Sequence, residues 1–336
     1  MIKPEKLEHG DTIGVISTSL PAAATCPRRF QRGIDELKKL GFNVKQGKHC
    51  QKNTGHLAGT VEERLQDFHE FIADREVKAV INTVGGYNSN QLLEQLDYEL
   101  IRKHPKIIMG YSDFTAMLLA IHHETGLVTY LGPSLLPQFG EYGGMMDYTL
   151  HAFQSILMHT DTPKILSSSD YWSSEFLAWD QDDQRERTLI ENKGPFILKK
   201  GQAEGNILSG HLGTILSLAG TAFFPDFTEK IVFIEDDHDH PGTFDRYLYH
   251  LRHLGIFDKI NGMVIGRFHA DAALSDPAQL QSVVEWATKG YHFPIVSNVD
   301  FGHTDPMMTI PNGIHARIRM TGNDVQLVLE EQAVEK

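Results

Sequence analysis

Residues 106–115 read KIIMGYSDFT, and the kind of sheet the chain builds turns on this stretch. Ile107, Ile108 and Met109 form a run that is apolar on both faces, as in a strand buried between helical layers. After Ser112, the residues Phe114, Met117, Leu118 and Ile121 recur at helical spacing. A strand therefore passes into a helix with no ordinary loop, and Ser112 stands on the corner. Such a corner pushes a hydroxyl out above the sheet. It also leaves the amide of the next residue, Asp113, free to donate to an oxyanion, aided by the helix N-terminus. The glycine pattern GxSxG is not met, because the glycine sits at 110 and Phe occupies 114. A serine at this point also serves as a helix N-cap, the commoner use of a lone strand–Ser–helix junction.

The flanking sequence carries the same pattern further. TIGVIS (12–17), KAVINTV (78–84) and LVTYLG (127–132) predict three more strands. RRFQRGIDELKKLGF places Phe30, Ile34, Leu37 and Leu40 at helical spacing with a stop at Gly41, and TVEERLQDFHEFIAD opens on Thr60 with Glu63 three residues on, the spacing of a capping box. The alternation predicts an α/β domain with a doubly wound, mostly parallel sheet over residues 1–150. Ligands of such sheets gather beyond the carboxyl ends of the strands, where VGGYNSN (84–90) and GYSD both fall. Paired Gly85 and Gly86 let backbone amides approach an anion closely, and they equally suit a tight turn before the residues Leu92, Leu93 and Leu96. No GxGxxG or GxxxxGK[ST] pattern surrounds them.

Periodicity loosens over 151–200, a segment rich in Ser, Asp and aromatics that reads as a linker with a long excursion. Residues 201–336 mix the strands IVFIED, GMVIGRF, HARIRM and VQLVLE with helices at TFDRYLYHLRHLG and LQSVVEWATKG. They predict a less regular C-terminal α/β domain with a mixed, partly barrel-like sheet. A length of 336 residues agrees with two domains, since single cores stop growing near roughly 250–300 residues. The formal charge of −13, from 44 acidic against 31 basic residues, disfavours nucleic acid and anionic membrane surfaces as partners. No window approaches about 18 uninterrupted apolar residues, and the start lacks a basic segment leading into an apolar run. Cys26 and Cys50 lack CxxC spacing, and so few thiols fit a reducing cytoplasm.

A serine hydroxyl needs a base, and the base needs an orienting group. Glu235 ends the apolar run IVFIE, where a carboxylate is rigidly held, and His303 lies in the Gly-flanked turn FGHTDP. Eighteen histidines leave that choice open. DDHDH (236–240) matches neither HExxH nor the spaced Cys and His of structural zinc sites, so a solvated acidic loop beside Glu235 is expected. Trp172 and Trp179 sit among Asp and Glu in the excursion, suited to stacking on a planar ligand or to packing over a domain edge.

Taken in order, LEHGDTIGVIS, HLAGTVEERLQDF, KAVINTVGGYNSNQLLEQLDYELIRKHPKIIMGYSDFTAM, LSLAGTAFFPDF, IVFIEDD, GMVIGRF and FGHTDPMMTIPNG resemble the LD-carboxypeptidase family of serine peptidases over nearly the whole chain. The resemblance implies a Ser-His-Glu triad of Ser112 in GYSD, His303 in GHTDP and Glu235 in IED. It implies an oxyanion hole from the amides of Asp113 and Gly85, a homodimer, and no metal or organic cofactor. Within the family the chain is more similar to the microcin C immunity branch than to murein-recycling members, which carry RGGYG where this chain has VGGYNSN. That likeness implies cleavage of an amide between an amino acid and a sulfamoyl or phosphoramidate adenylate, the alternative being release of a terminal D-alanine from a murein tetrapeptide. It also implies substrate contacts at Gly86, Tyr87, Asn88, Trp179 and His211, with Trp179 on adenine and the 151–200 excursion covering the substrate. One departure from the family pattern is Ser209, Gly210 and His211, where members often carry a glycine pair and Asn.

Overall fold

The computed structural model describes residues 1–237 and 240–336. Strands β1 (Thr12–Ile16), β2 (Asn43–Gln46), β3 (Val77–Asn82), β4 (Ile107–Gly110) and β5 (Tyr130–Leu131) lie in the order β5-β4-β3-β1-β2, all parallel. A sixth strand, β14 (Ile310–Pro311), arrives from the other half of the chain and pairs antiparallel with β5. Helices Pro27–Lys39, Val61–Ala73 and Thr115–Thr125 follow the expected patterns. The capping box at the second forms in full: Thr60 Oγ1 accepts from the Glu63 amide, and the Glu63 carboxylate accepts from the Thr60 amide. The strand expected over 127–132 pairs in the sheet only at Tyr130–Leu131. The chain leaves the left-handed Gly126 cap beside Ile2, so Leu127 bridges to Ile2 before the strand reaches β4.

The second sheet has the order β6-β16-β15-β10-β11-β12-β13-β9. Its centre, β10 (Ala203–His211), β11 (Lys230–Glu235), β12 (Gly262–Gly266) and β13 (Ile295–Val299), is parallel. The edges β6 (Lys164–Leu166), β9 (Phe196–Lys199), β15 (His315–Thr321) and β16 (Asp324–Leu329) join antiparallel. The short strands β7 (Tyr171–Trp172) and β8 (Ile190–Glu191) pair with each other. The four strands read from IVFIED, GMVIGRF, HARIRM and VQLVLE all form. Strand β10 was not legible, because Asn206, Ser209 and His211 break its apolar pattern. Their neighbours explain it: Ser209 donates through its amide and hydroxyl to Asn312 Oδ1 (2.6 and 3.0 Å), and the His211 amide donates to Thr115 Oγ1 (3.0 Å).

The two halves share their apolar interior. Met117 and Ile121, behind Ser112, belong to the same buried cluster as Leu212, Ile215 and Phe244. Each such side chain contributes about 1.5–3 kcal/mol when fully buried, which fixes one sheet against the other. The loops after β1, β3, β4, β10, β11, β12 and β13 consequently open on one cavity, lined among others by Leu20, Gly85, Ser112, His211, Asp237, His269 and His303. Among the described residues no helix is long and apolar enough to cross a membrane.

Candidate active site

The chain leaves β4 through Tyr111 and enters a 3₁₀ turn at Ser112–Phe114 that continues into helix Thr115–Thr125. Ser112 has φ 61°, a left-handed conformation that costs a non-glycine residue about 1–3 kcal/mol. Its side chain caps nothing, since neither the turn nor the helix carries a side-chain cap at its start. The hydroxyl is directed elsewhere: Oγ lies 3.0 Å from His303 Nε2. Gly85 presses against the same corner. A Cβ there would stand 2.7 Å from Ser112 Cβ, 2.9 Å from Oγ and 3.2 Å from the Asp113 nitrogen, so only glycine permits the approach. Neither the Gly85 nor the Asp113 amide has an acceptor among the described turn and loop hydrogen bonds.

The glycine turn is pinned from three sides. Ser19 Oγ accepts from the amides of Tyr87 and Asn88 (both 2.9 Å), and Asp113 Oδ2 accepts from those of Asn88 and Ser89 (3.0 and 2.8 Å). Asn82 Nδ2 donates to the Val84 carbonyl (2.7 Å). Asp113 thus offers its amide at the corner while its carboxylate fixes the turn opposite. Ser19 and Asn82 escaped sequence reasoning, although Asn82 ends β3 and Ser19 lies in the loop after β1, at carboxyl ends expected to face a ligand.

Glu235 is the last residue of β11 and lies beside His211 of β10 in the sheet register. It is 2% exposed, and its Oε2 accepts from His303 Nδ1 at 2.6 Å. Gly302, at φ 101°, makes that contact possible, because a Cβ would fall 2.6 Å from Oε2. With Nδ1–H bound to Glu235, the neutral ring presents Nε2 as an acceptor toward the Ser112 hydroxyl. Burial works against a charge on His303. The adjacent Glu235 carboxylate outweighs it and holds the pKa above the ordinary imidazole value. The ring is wedged between Tyr111 and His211, with centroids at 5.2 and 5.5 Å.

The cavity measures about 650 Å³. On one flank Trp179 stacks on the Arg29 guanidinium at 4.9 Å, with Phe176 beside it and largely exposed. Arg187 pairs there with Glu141 and Asp305 (both 2.8 Å). Gly86 and Tyr87 line the mouth, as does Asn90; Asn88 is not among the lining residues. Trp172 packs on Arg267 at 4.7 Å and lines a separate cavity of about 40 Å³. Arg187, Asp305 and Glu141 gave no local signal, since their pairing joins segments far apart in the chain.

On the other flank stand His211, Asp237 and Tyr247. His211 Nδ1 accepts from the Thr214 amide at 3.2 Å, capping helix Leu212–Ser217, and Nε2 faces Asp237 Oδ1 (3.1 Å) and Asp236 Oδ1 (3.6 Å). Burial lowers the His211 pKa, but the two carboxylates overcome it and push it up to about 10. The Thr214 amide opposes that charge, because an imidazolium has no acceptor left for it. Asp236 is buried against His211 instead of solvated as expected, and residues 238 and 239 of the DDHDH run lie outside the described residues. His211, Asp236 and Asp237 each bring one ligand atom to within 4.8 Å of the others, a set with the chemistry to hold a cation.

Residues 13–132 match the LD-carboxypeptidase N-terminal domain and residues 204–318 the LD-carboxypeptidase C-terminal domain. The chain is 33% identical to the microcin C7 self-immunity protein MccF of Escherichia coli over 98% of this chain and 96% of that protein. It is also 33% identical to a probable murein peptide carboxypeptidase of Bacillus subtilis, over 94% and 90%. Solved structures of MccF in complex with aspartyl sulfamoyl adenosine and with glutamyl sulfamoyl guanosine each superpose with a TM-score of 0.92 at 32% identity, covering 100% of both chains.

Proposed function

The chain belongs to the LD-carboxypeptidase family, and from that premise we propose that it hydrolyses the amide joining an amino acid to a sulfamoyl or phosphoramidate adenylate. Ser112 Oγ attacks the carbonyl carbon while His303 Nε2 takes the hydroxyl proton, and the amides of Gly85 and Asp113 receive the oxyanion. His303 then gives that proton to the leaving nitrogen as the C–N bond breaks. Water, deprotonated by the same imidazole, releases the amino acid from Oγ. Glu235 keeps the ring in the required tautomer and stabilises its charged form. The observation that carries this reading is the strained serine corner with its hydroxyl 3.0 Å from an imidazole whose far nitrogen is bound to a buried carboxylate.

Trp179, backed by Arg29 and lining the cavity, stacks on adenine in this reading, and the excursion within 151–200 covers the nucleotide. The MccF complexes with aminoacyl sulfamoyl nucleosides support this substrate class. The acidic balance and the two free cysteines support action in the cytoplasm. Ser112→Ala should slow turnover of aspartyl sulfamoyl adenosine by about a thousandfold or more while leaving Tm unchanged. A purified variant within tenfold of the parent rate would refute the mechanism. The equal identity to the murein peptide carboxypeptidase supports a second reading, release of D-alanine from a tetrapeptide. Parallel assays on the two substrates separate them.

A further inference from the structure

Helix Pro27–Lys39 begins without a cap of its own. Cys26 stands where a Ser, Thr, Asp or Asn would receive the first-turn amides, and its side chain does not cap them. A helix start leaves its first amides without partners in the helix. Here that of Cys26 donates back to the Ala22 carbonyl at 2.8 Å, and Pro27 has none to offer. Those of Arg28 and Arg29 remain. Both donate to one carboxylate of the 151–200 excursion, Arg28 to Asp180 Oδ2 at 2.8 Å and Arg29 to Asp180 Oδ1 at 2.7 Å. The negative charge also suits the positive end of the helix dipole. The cap of this helix is therefore supplied from 152 and 151 residues away.

The backbone is bent to make that contact. Asp180 has φ 59°, a left-handed conformation that a non-glycine residue keeps only where its surroundings impose it. Its own carbonyl accepts from Arg28 Nη2. The Ala178 carbonyl accepts from the amides of Gln181 and Asp182 (3.1 and 2.9 Å), which folds the segment into a tight turn. Beyond the turn, buried Asp183 pairs with Arg29 (3.0 Å) and Arg32. Arg29 in turn donates to the carbonyls of Leu136 (2.7 Å) and Pro137 (2.9 Å). Trp179 directly precedes Asp180, lies over the Arg29 guanidinium at 4.9 Å and lines the cavity. An indole on a loose loop must be ordered when a ligand stacks on it, whereas one fixed beforehand binds without that loss.

We infer that Asp180 is a positioning residue for the nucleoside side of the cavity. By capping helix Pro27–Lys39 from the excursion it holds the Trp179 indole ready, and so favours substrates whose leaving group carries a nucleobase. The inference rests on the reading of Trp179 as the stacking face for adenine, and it adds the device that keeps that face in place.

The test is the affinity of aspartyl sulfamoyl adenosine, measured by calorimetry on Ser112→Ala so that turnover does not intervene. In that background Asp180→Gly removes the carboxylate with no penalty at φ 59° and should weaken binding by about tenfold. Asp180→Asn keeps a capping oxygen and tolerates the left-handed backbone, so it should stay within about threefold of the Ser112→Ala protein. Because Asp180 acts through the indole, Asp180→Gly should add less than about threefold once Trp179→Ala is in place. Additive losses, an Asn variant as weak as the Gly variant, or undiminished binding by Asp180→Gly beside weakened binding by Trp179→Ala would overturn this inference alone. Undiminished binding by Trp179→Ala, or no binding by Ser112→Ala itself, would sink the stacking reading and this inference with it.

Discussion

The Ser112 corner and the His303 loop meet at 3.0 Å, yet they are held in different ways. The corner is built by neighbours in its own sheet: β4 before it, the helix after it, and the glycine turn of β3 pinned by Asp113 and Ser19. The His303 loop is clamped from a distance. Asp300 accepts from Arg267 (2.6 Å) and from the amide and hydroxyl of Ser169 (2.9 and 2.8 Å). Asp305 accepts from Arg187 (2.8 Å) and Gln138 (3.0 Å), and its backbone pairs with Ser173. Local backbone strain places the hydroxyl, whereas a polar network spanning the excursion and both sheets places the imidazole. The serine corner can thus be read from ten residues, but the imidazole that faces it depends on the whole molecule.

Replacing Glu235 by Gln attacks the distant side of this arrangement and should have the larger effect, a loss of about 10³–10⁴ in kcat. The proposed mechanism requires neutral His303, so kcat/KM should rise as pH passes upward through its pKa. Glu235 holds that pKa above the usual imidazole value, so the variant's acid limb should move to lower pH. A pH–rate profile with an unmoved limb would assign the limb to another group. On the serine side, Gly85→Ala puts a methyl group against Oγ and should displace the proposed oxyanion donor. A loss of about 10²-fold in kcat with little change in KM is expected, and parent-like kinetics would show that the turn is free to shift. The smallest effect belongs to the excursion. Trp179→Ala should raise KM for the adenylate by about tenfold and leave a murein tetrapeptide unaffected. An equal change on both would mean that Trp179 supports the Arg29 network and does not stack on the base.

Much of the architecture was readable from short stretches. The Thr60–Glu63 capping box, the strand before Ser112 and the helix after it each carry their signal within a few residues, because capping, periodicity and glycine punctuation act over that range. Strand β10 was hidden because its polar residues are satisfied by Asn312 and Thr115, partners that only the fold supplies. Asp237 was grouped with a solvated loop, although it approaches both His211 and His303. The Arg187–Glu141–Asp305 cluster could not be anticipated, since like and unlike charges are scattered throughout the chain and proximity alone pairs them.

Local chemistry along the chain thus specified an α/β alternation, two turns at strand carboxyl ends and a serine on one of them, since each depends on a few adjacent torsions and side chains. Folding chose which of eighteen histidines faces that serine. The two are 191 residues apart in sequence and the ring's carboxylate partner lies 68 from the ring, and only the packing of one sheet against the other brings both separations down to hydrogen-bonding distance.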